Sequence, residues 1–143
     1  VPERSRVLRP APDGSFRSQL SLYVRLVADA LGLRDHEVEV QSRHAAPGRI
    51  AEVDLSAFRQ TVRLRVCEGF RELPSDDQRH AIVHELVHAH VKALCDTVEQ
   101  GVPSWMPERT WEMFRGIFER DVEVLVDTIA VLLCPLIEPP SWE

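Results

Sequence analysis

Hydrophobic positions in this chain change their period along its length, and each change predicts an element. Over residues 15–33, apolar side chains fall at Leu20, Val24, Val27, Ala28 and Leu31. Steps of three and four place them on one side of a helix, and Gly32 is a natural stop. Val38-Glu39-Val40 is a short alternating stretch, read as a strand, and Pro47-Gly48 signals a turn. Residues 50–55 read as a second strand. In Val62-Arg63-Leu64-Arg65-Val66 apolar residues alternate strictly with arginine, so one face is buried and the other wet. The last two strands suit antiparallel pairing, and a small sheet of about three strands is expected before the next helix.

That helix starts in Pro74-Ser75-Asp76-Asp77-Gln78. Ser75 reads as its N-cap and Gln78, at the third helical position, as the partner in a capping box. Asp76 and Asp77 suit the positive end of the helix dipole. The helix is expected to run to about Val98, with Gly101 and Pro103 ending it. Pro107 fits the first turn of a last helical region reaching Leu133, with Gly116 as a point where it can break and Pro135 as its stop. Val122, Leu125, Val126, Ile129, Leu132 and Leu133 are expected on its buried side. Residues 1–14, with Pro2, Pro10, Pro12 and Gly14, read as a flexible arm. Residues 15–143 then form one α+β domain.

Composition narrows the function classes. The chain has 143 residues, 44% hydrophobic and 28% charged, enough for one core. No apolar run approaches the roughly 18–20 residues of a membrane span. Residues 1–21 are rich in arginine but lack the apolar core of a signal peptide, so a cytoplasmic location without membrane association is expected. A net charge of −6 argues against a general nucleic-acid binder. Arg4, Arg6, Arg9 and Arg17 read as a solvated cluster. The three cysteines, Cys67, Cys95 and Cys134, have no CxxC spacing and form no disulfide framework.

The chemistry concentrates in His84-Glu85-Leu86-Val87-His88, an HExxH motif inside the expected helix. Positions four apart lie one turn above each other, so both imidazoles can reach one ion. Glu85 lies beside them on the helix wheel, where a carboxylate can take a proton from a metal-activated water and return it to a leaving amine. Such a motif also arises by accident on surface helices. Here Ala81, Ile82, Val83, Leu86, Val87, Ala89 and Val91 surround it, which places the helix in a core where polar groups need a reason.

A catalytic zinc site needs a further ligand. Glu119, Glu123 and Asp127 form a stripe on the last helix; such stripes are ordinarily solvated, but the upstream motif needs a carboxylate or imidazole from another element. His80 extends the His84/His88 ladder, but consecutive turns of one straight helix do not wrap easily around one ion, so it is expected at the margin. His90 is expected to point away, and His36 and His44 to lie in surface loops.

These residues resemble the gluzincin group of zinc metallopeptidases, the class that includes thermolysin, with HExxH on one helix and a glutamate ligand on a later one. Glu123-Val124-Leu125-Val126-Asp127 matches the ExxxD pattern of thermolysin-type sites. The resemblance implies Glu123 as ligand, with Glu119 as the alternative, and Asp127 as the orienting partner of His84 or His88. The short sheet-then-helix layout looks like the minimal bacterial and phage metallopeptidases of the ImmA/IrrE-like kind. It implies a minimal zincin-like domain that holds Zn2+ and hydrolyses peptide bonds in a protein or peptide substrate, with Glu85 catalytic. The stretch from His88 to Glu123 is longer than in many gluzincins. Tyr23 is the only tyrosine, and no downstream histidine or tyrosine stands out as an oxyanion stabiliser. The competing readings are a non-catalytic, zinc-stabilised interaction module and a metal-free helical adaptor.

Overall fold

A computed structural model describes residues 15–142. Its architecture is α+β, with a small three-stranded sheet and three long helices. The arm expected at 1–14 lies outside the described residues.

Helix α1 (Phe16–Ala30) starts at Ser15, whose hydroxyl accepts from the Ser18 amide at 3.3 Å. Leu20, Val24, Val27 and Ala28 are buried, as the spacing predicts. The helix stops where Gly32 takes a φ of 80°. There the Leu33 amide returns to the Ala28 carbonyl at 2.8 Å and the Gly32 amide to Asp29 at 3.1 Å, a Schellman closure that carries Leu33 into the core.

Strands β1 (Glu37–Val40), β2 (Ala51–Ser56) and β3 (Thr61–Val66) form a sheet in the order β1-β3-β2. β3 is central, parallel to β1 and antiparallel to β2. Val62 and Leu64 are fully buried, while Arg63 points to solvent. The arginine face is less wet than alternation alone suggests. Arg65 is largely covered and lies 3.1 Å from Glu52 and 3.0 Å from Asp54, both on the neighbouring strand.

Helix α2 (Ser75–Gly101) packs on the sheet and on α1, burying Ile82, Val83, Leu86 and Val87. The expected capping box is absent. Pro74 occupies the cap position, Ser75 is already helical, and no side chain caps the end. Gln78 turns inward instead. Its amide nitrogen lies 2.8, 3.0 and 2.9 Å from the carbonyls of Phe70, Arg71 and Leu73, and its amide oxygen accepts from the Trp142 indole at 2.8 Å. Those carbonyls belong to the tight turn before α2, and binding them satisfies more buried polar groups than a cap would.

Helix α3 (Glu108–Leu133) packs against α2. Pro107 caps it from outside rather than sitting in its first turn, and Gly116 does not break it. A glycine costs a helix only about 1 kcal/mol relative to alanine. The expected buried side is too wide: Val126 and Ala130 are buried, and Val122, Ile129 and Leu133 are partly covered, but Leu125 and Leu132 are exposed. One neighbouring helix covers only a narrow stripe. Among the described residues, no helix is long and apolar enough to cross a membrane.

Candidate metal centre

The α2–α3 packing brings the HExxH motif opposite the carboxylates of α3. His84 and His88 sit one turn apart, with ring centroids 5.1 Å from each other. Glu123 straddles them: one carboxylate oxygen lies 3.4 Å from His84 Nε2 and the other 3.2 Å from His88 Nε2. Ligand atoms from all three residues fall within 4.8 Å of one another. Two atoms bound to one tetrahedral ion at about 2.0–2.1 Å lie about 3.3–3.4 Å apart, so the imidazole–carboxylate spacing suits a shared cation.

On its other side, His84 presents Nδ1 to Asp127 Oδ1 at 3.4 Å. The same oxygen lies 3.0 Å from His80 Nε2. His80, His84 and Asp127 thus form a second close group that shares His84. One arrangement accounts for both groups. With His84 Nε2 turned to Glu123 and His88, its Nδ1–H faces a carboxylate, as metal-bound histidines commonly require. Asp127 thus faces His84, not His88, and His80 lies against the same Asp127 oxygen.

Other expectations resolve by position. Glu119 lines the adjoining cavity but does not join the imidazoles; it lies a turn away along α3 and pairs with Arg115 at 2.8 Å. His90 points away and contacts the Leu31 carbonyl at 2.7 Å. His44 is exposed and His36 partly covered. No cysteine belongs to either metal-ligating group among the described residues. Tyr23 donates to the Glu138 carbonyl at 2.8 Å and packs edge-on against Trp142, in the wall formed by α1 and the C-terminal segment.

The cavity beside His88 and Glu123 has a volume of about 530 Å³. Glu85 lines it together with Arg49, Cys95, Glu99, Phe118, Glu119 and Val122. Burial, then the nearby Glu123 charge, pushes the Glu85 carboxyl from an ordinary 4.5 up to about 7, against the pull of Arg49. Burial also lowers the basicity of His88, partly offset by Glu123, which favours the neutral imidazole that binds metals.

The chain matches no protein-family model, no curated protein and no solved structure. The functional reading therefore rests on the geometry of these side chains. Sequence reasoning reached both imidazoles and the three α3 carboxylates. It missed Arg49 and the His80 contact to Asp127. The His80 contact had a signal in the four-residue ladder of His80, His84 and His88, whereas Arg49 had none beyond its turn.

Proposed function

We propose that this protein is a zinc-dependent peptidase of minimal zincin-like design. The observation that carries this reading is Glu123 set between His84 and His88, with Glu85 buried in the cavity beside them. Two imidazole nitrogens and a carboxylate form a donor set suited to Zn2+, and three protein ligands are the number found at catalytic sites. His84, His88 and Glu123 would hold the ion. When bound, zinc would supply Lewis-acid activation of a water and of a substrate carbonyl.

The remaining work falls to the chain itself. Glu85 accepts the proton released by the attacking water and delivers it to the leaving nitrogen. Its place in the cavity beside His88 and Glu123 lets one carboxylate do both. Asp127 lies 3.4 Å from His84 Nδ1, where a carboxylate favours the tautomer protonated at that nitrogen and leaves Nε2 as a lone-pair donor. The walls from α2 and α3 offer room for a few residues of an extended peptide.

Zinc content measured on wild type and on His88→Ala tests the site. Wild type is expected to retain about one zinc per chain and the variant to lose it; equal content in both would sink the reading. Glu85→Gln is expected to keep zinc and lose hydrolysis of a peptide mixture by roughly 10²–10⁴-fold. Zinc binding without hydrolysis in wild type would instead favour the non-catalytic interaction module.

A further inference from the structure

Peptide hydrolysis at this site has an electrostatic problem. Addition of the water oxygen to the carbonyl carbon moves the C=O π pair onto the carbonyl oxygen. That negative charge develops in a cavity also lined by the carboxylates of Glu99 and Glu119, while Glu85 by then holds the water's proton and Glu123 would hold the ion. Tyr23, the only tyrosine, is engaged with Glu138 in another wall. The cavity lining contains one guanidinium, that of Arg49.

Arg49 is held where it can act. Ala46, Pro47, Gly48 and Arg49 form a tight turn, closed by the Arg49 amide to the Ala46 carbonyl at 3.1 Å. Gly48 sits at a φ of 84°, the left-handed value that the third position of such a turn requires and that other residues rarely take. The turn is tied down on both sides. The Ala45 amide reaches Val66 at 3.0 Å, and the Ala46 amide reaches the Glu52 carboxylate at 3.0 Å. Immediately after it, Ile50 accepts from the Cys67 amide at 2.8 Å. The side chain leaving this turn reaches the cavity from the sheet side, facing α2 and α3.

Arg49 is also uncommitted among the described residues. Arg43, Arg63 and Arg65 each have a carboxylate partner within 4 Å on the sheet, at Asp54, Glu39, and Glu52 with Asp54. Arg49 has no such partner, and Glu52, the nearest acid along β2, is already taken up by Arg65 and the Ala46 amide. An unpaired arginine on an anchored turn, at the mouth of an acidic cavity, is placed for a transient anion.

We propose that Arg49 is a catalytic residue of this site, donating hydrogen bonds to the carbonyl oxygen of the substrate as that oxygen becomes negative. This inference rests on the peptidase reading above. When the addition product collapses, the electron pair returns to re-form C=O, the C–N bond breaks, and the proton held by Glu85 goes to the nitrogen. Arg49 gains and loses no proton through the sequence; it holds the charge while it exists. The Coulombic pull of Arg49 on the Glu85 carboxyl is consistent with the two groups facing one space.

The test uses the zinc-loaded full chain as wild type, Arg49→Met and Arg49→Lys. Calorimetry measures binding of N-phosphoryl-leucyl-alanine amide, a tetrahedral anion, against imidazole, a neutral metal ligand. Arg49→Met is expected to keep its zinc and its imidazole affinity while losing the phosphoryl probe by roughly 10²-fold or more, the scale of a lost oxyanion donor. Arg49→Lys is expected to fall between the two, because it keeps the charge but not the planar fork. In peptide hydrolysis, kcat should fall in parallel with KM little changed. Unchanged phosphoryl affinity in Arg49→Met would overturn the proposal, as would a KM effect confined to acidic peptides. Failure of wild type to hold zinc would overturn the peptidase reading itself, a separate result.

Discussion

Glu85 illustrates how one side chain couples chemistry to stability. In the metal-free protein its carboxyl is shifted from 4.5 to about 7, chiefly by burial. The folded state therefore binds a proton at pH values where the unfolded chain has released it. Stability from this group is complete below about 4.5, falls as pH rises towards 7, and stays lost above it. Moving the carboxyl from 4.5 to about 7 corresponds to roughly 3–4 kcal/mol. Glu85→Gln, which cannot ionise, should be more stable than wild type at pH 8 by up to about that amount in urea unfolding of the metal-free proteins, and no more stable at pH 4. An equal advantage at both pH values would mean that packing rather than ionisation sets the difference. At this scale much of the site was legible. His84, Glu85 and His88 follow from helix geometry, because the spacing that identifies them also aligns them. Glu123 stood on one stripe with Glu119 and Asp127, which the helical pattern alone could not rank; the ExxxD resemblance put Glu123 first, and the packing of α3 on α2 sets Glu123 between the imidazoles while Glu119 pairs with Arg115. Arg49 was invisible because it arrives from a turn, and local patterns carry no record of which distant elements a turn faces.

Among the elements, α2 shows where a local pattern misleads. Ser75 and Gln78 have the spacing of a capping box, yet Gln78 is buried to 1% exposure and serves the preceding turn. The competing demand is tertiary: the Gln78 amide ties together the carbonyls of Phe70, Arg71 and Leu73 at the helix start, where Phe70 also receives the Leu73 amide at 3.2 Å. Trp142 completes the arrangement, packing edge-on against Phe16 at 5.0 Å while its indole N–H reaches Gln78. One glutamine thus joins α2, the turn before it and the C-terminal segment. Gln78→Leu has similar bulk but removes the bonds to these carbonyls and to the Trp142 indole, and should cost roughly 2–4 kcal/mol. Urea unfolding followed by tryptophan fluorescence measures this; a loss below about 0.5 kcal/mol would assign the carbonyls other partners. The strands were easier to read, because the arginine–apolar alternation in β3 fixes its faces and the register with β2 pairs Arg65 with Glu52.

For the whole molecule, the distribution of burial sets the consequence of metal binding. The sheet, α1 and the motif half of α2 share one core, while α3 contributes only Val126 and Ala130 as fully buried residues. Much of α3 is therefore held by a narrow stripe against α2, and the carboxylates that face the imidazoles lie along that stripe. Glu123 lies 3.4 and 3.2 Å from His84 and His88, and Asp127 3.4 Å from His84, spacings longer than strong hydrogen bonds. A cation bound by both helices would tie α3 to the rest of the fold. Ligand present at a hundred times its dissociation constant adds about 2.7 kcal/mol to stability. Zinc should therefore raise the unfolding temperature by several degrees, and a chelator should reverse this. Hydrogen exchange should show the added protection on α3 and the motif turns of α2, with little change in β1 and β3. His88→Ala, which removes a ligand from α2, should abolish both effects without altering the metal-free baseline in the sheet. Protection spread evenly over the fold would indicate that α3 is already locked without metal, and an unfolding temperature indifferent to both zinc and chelator would favour the metal-free adaptor.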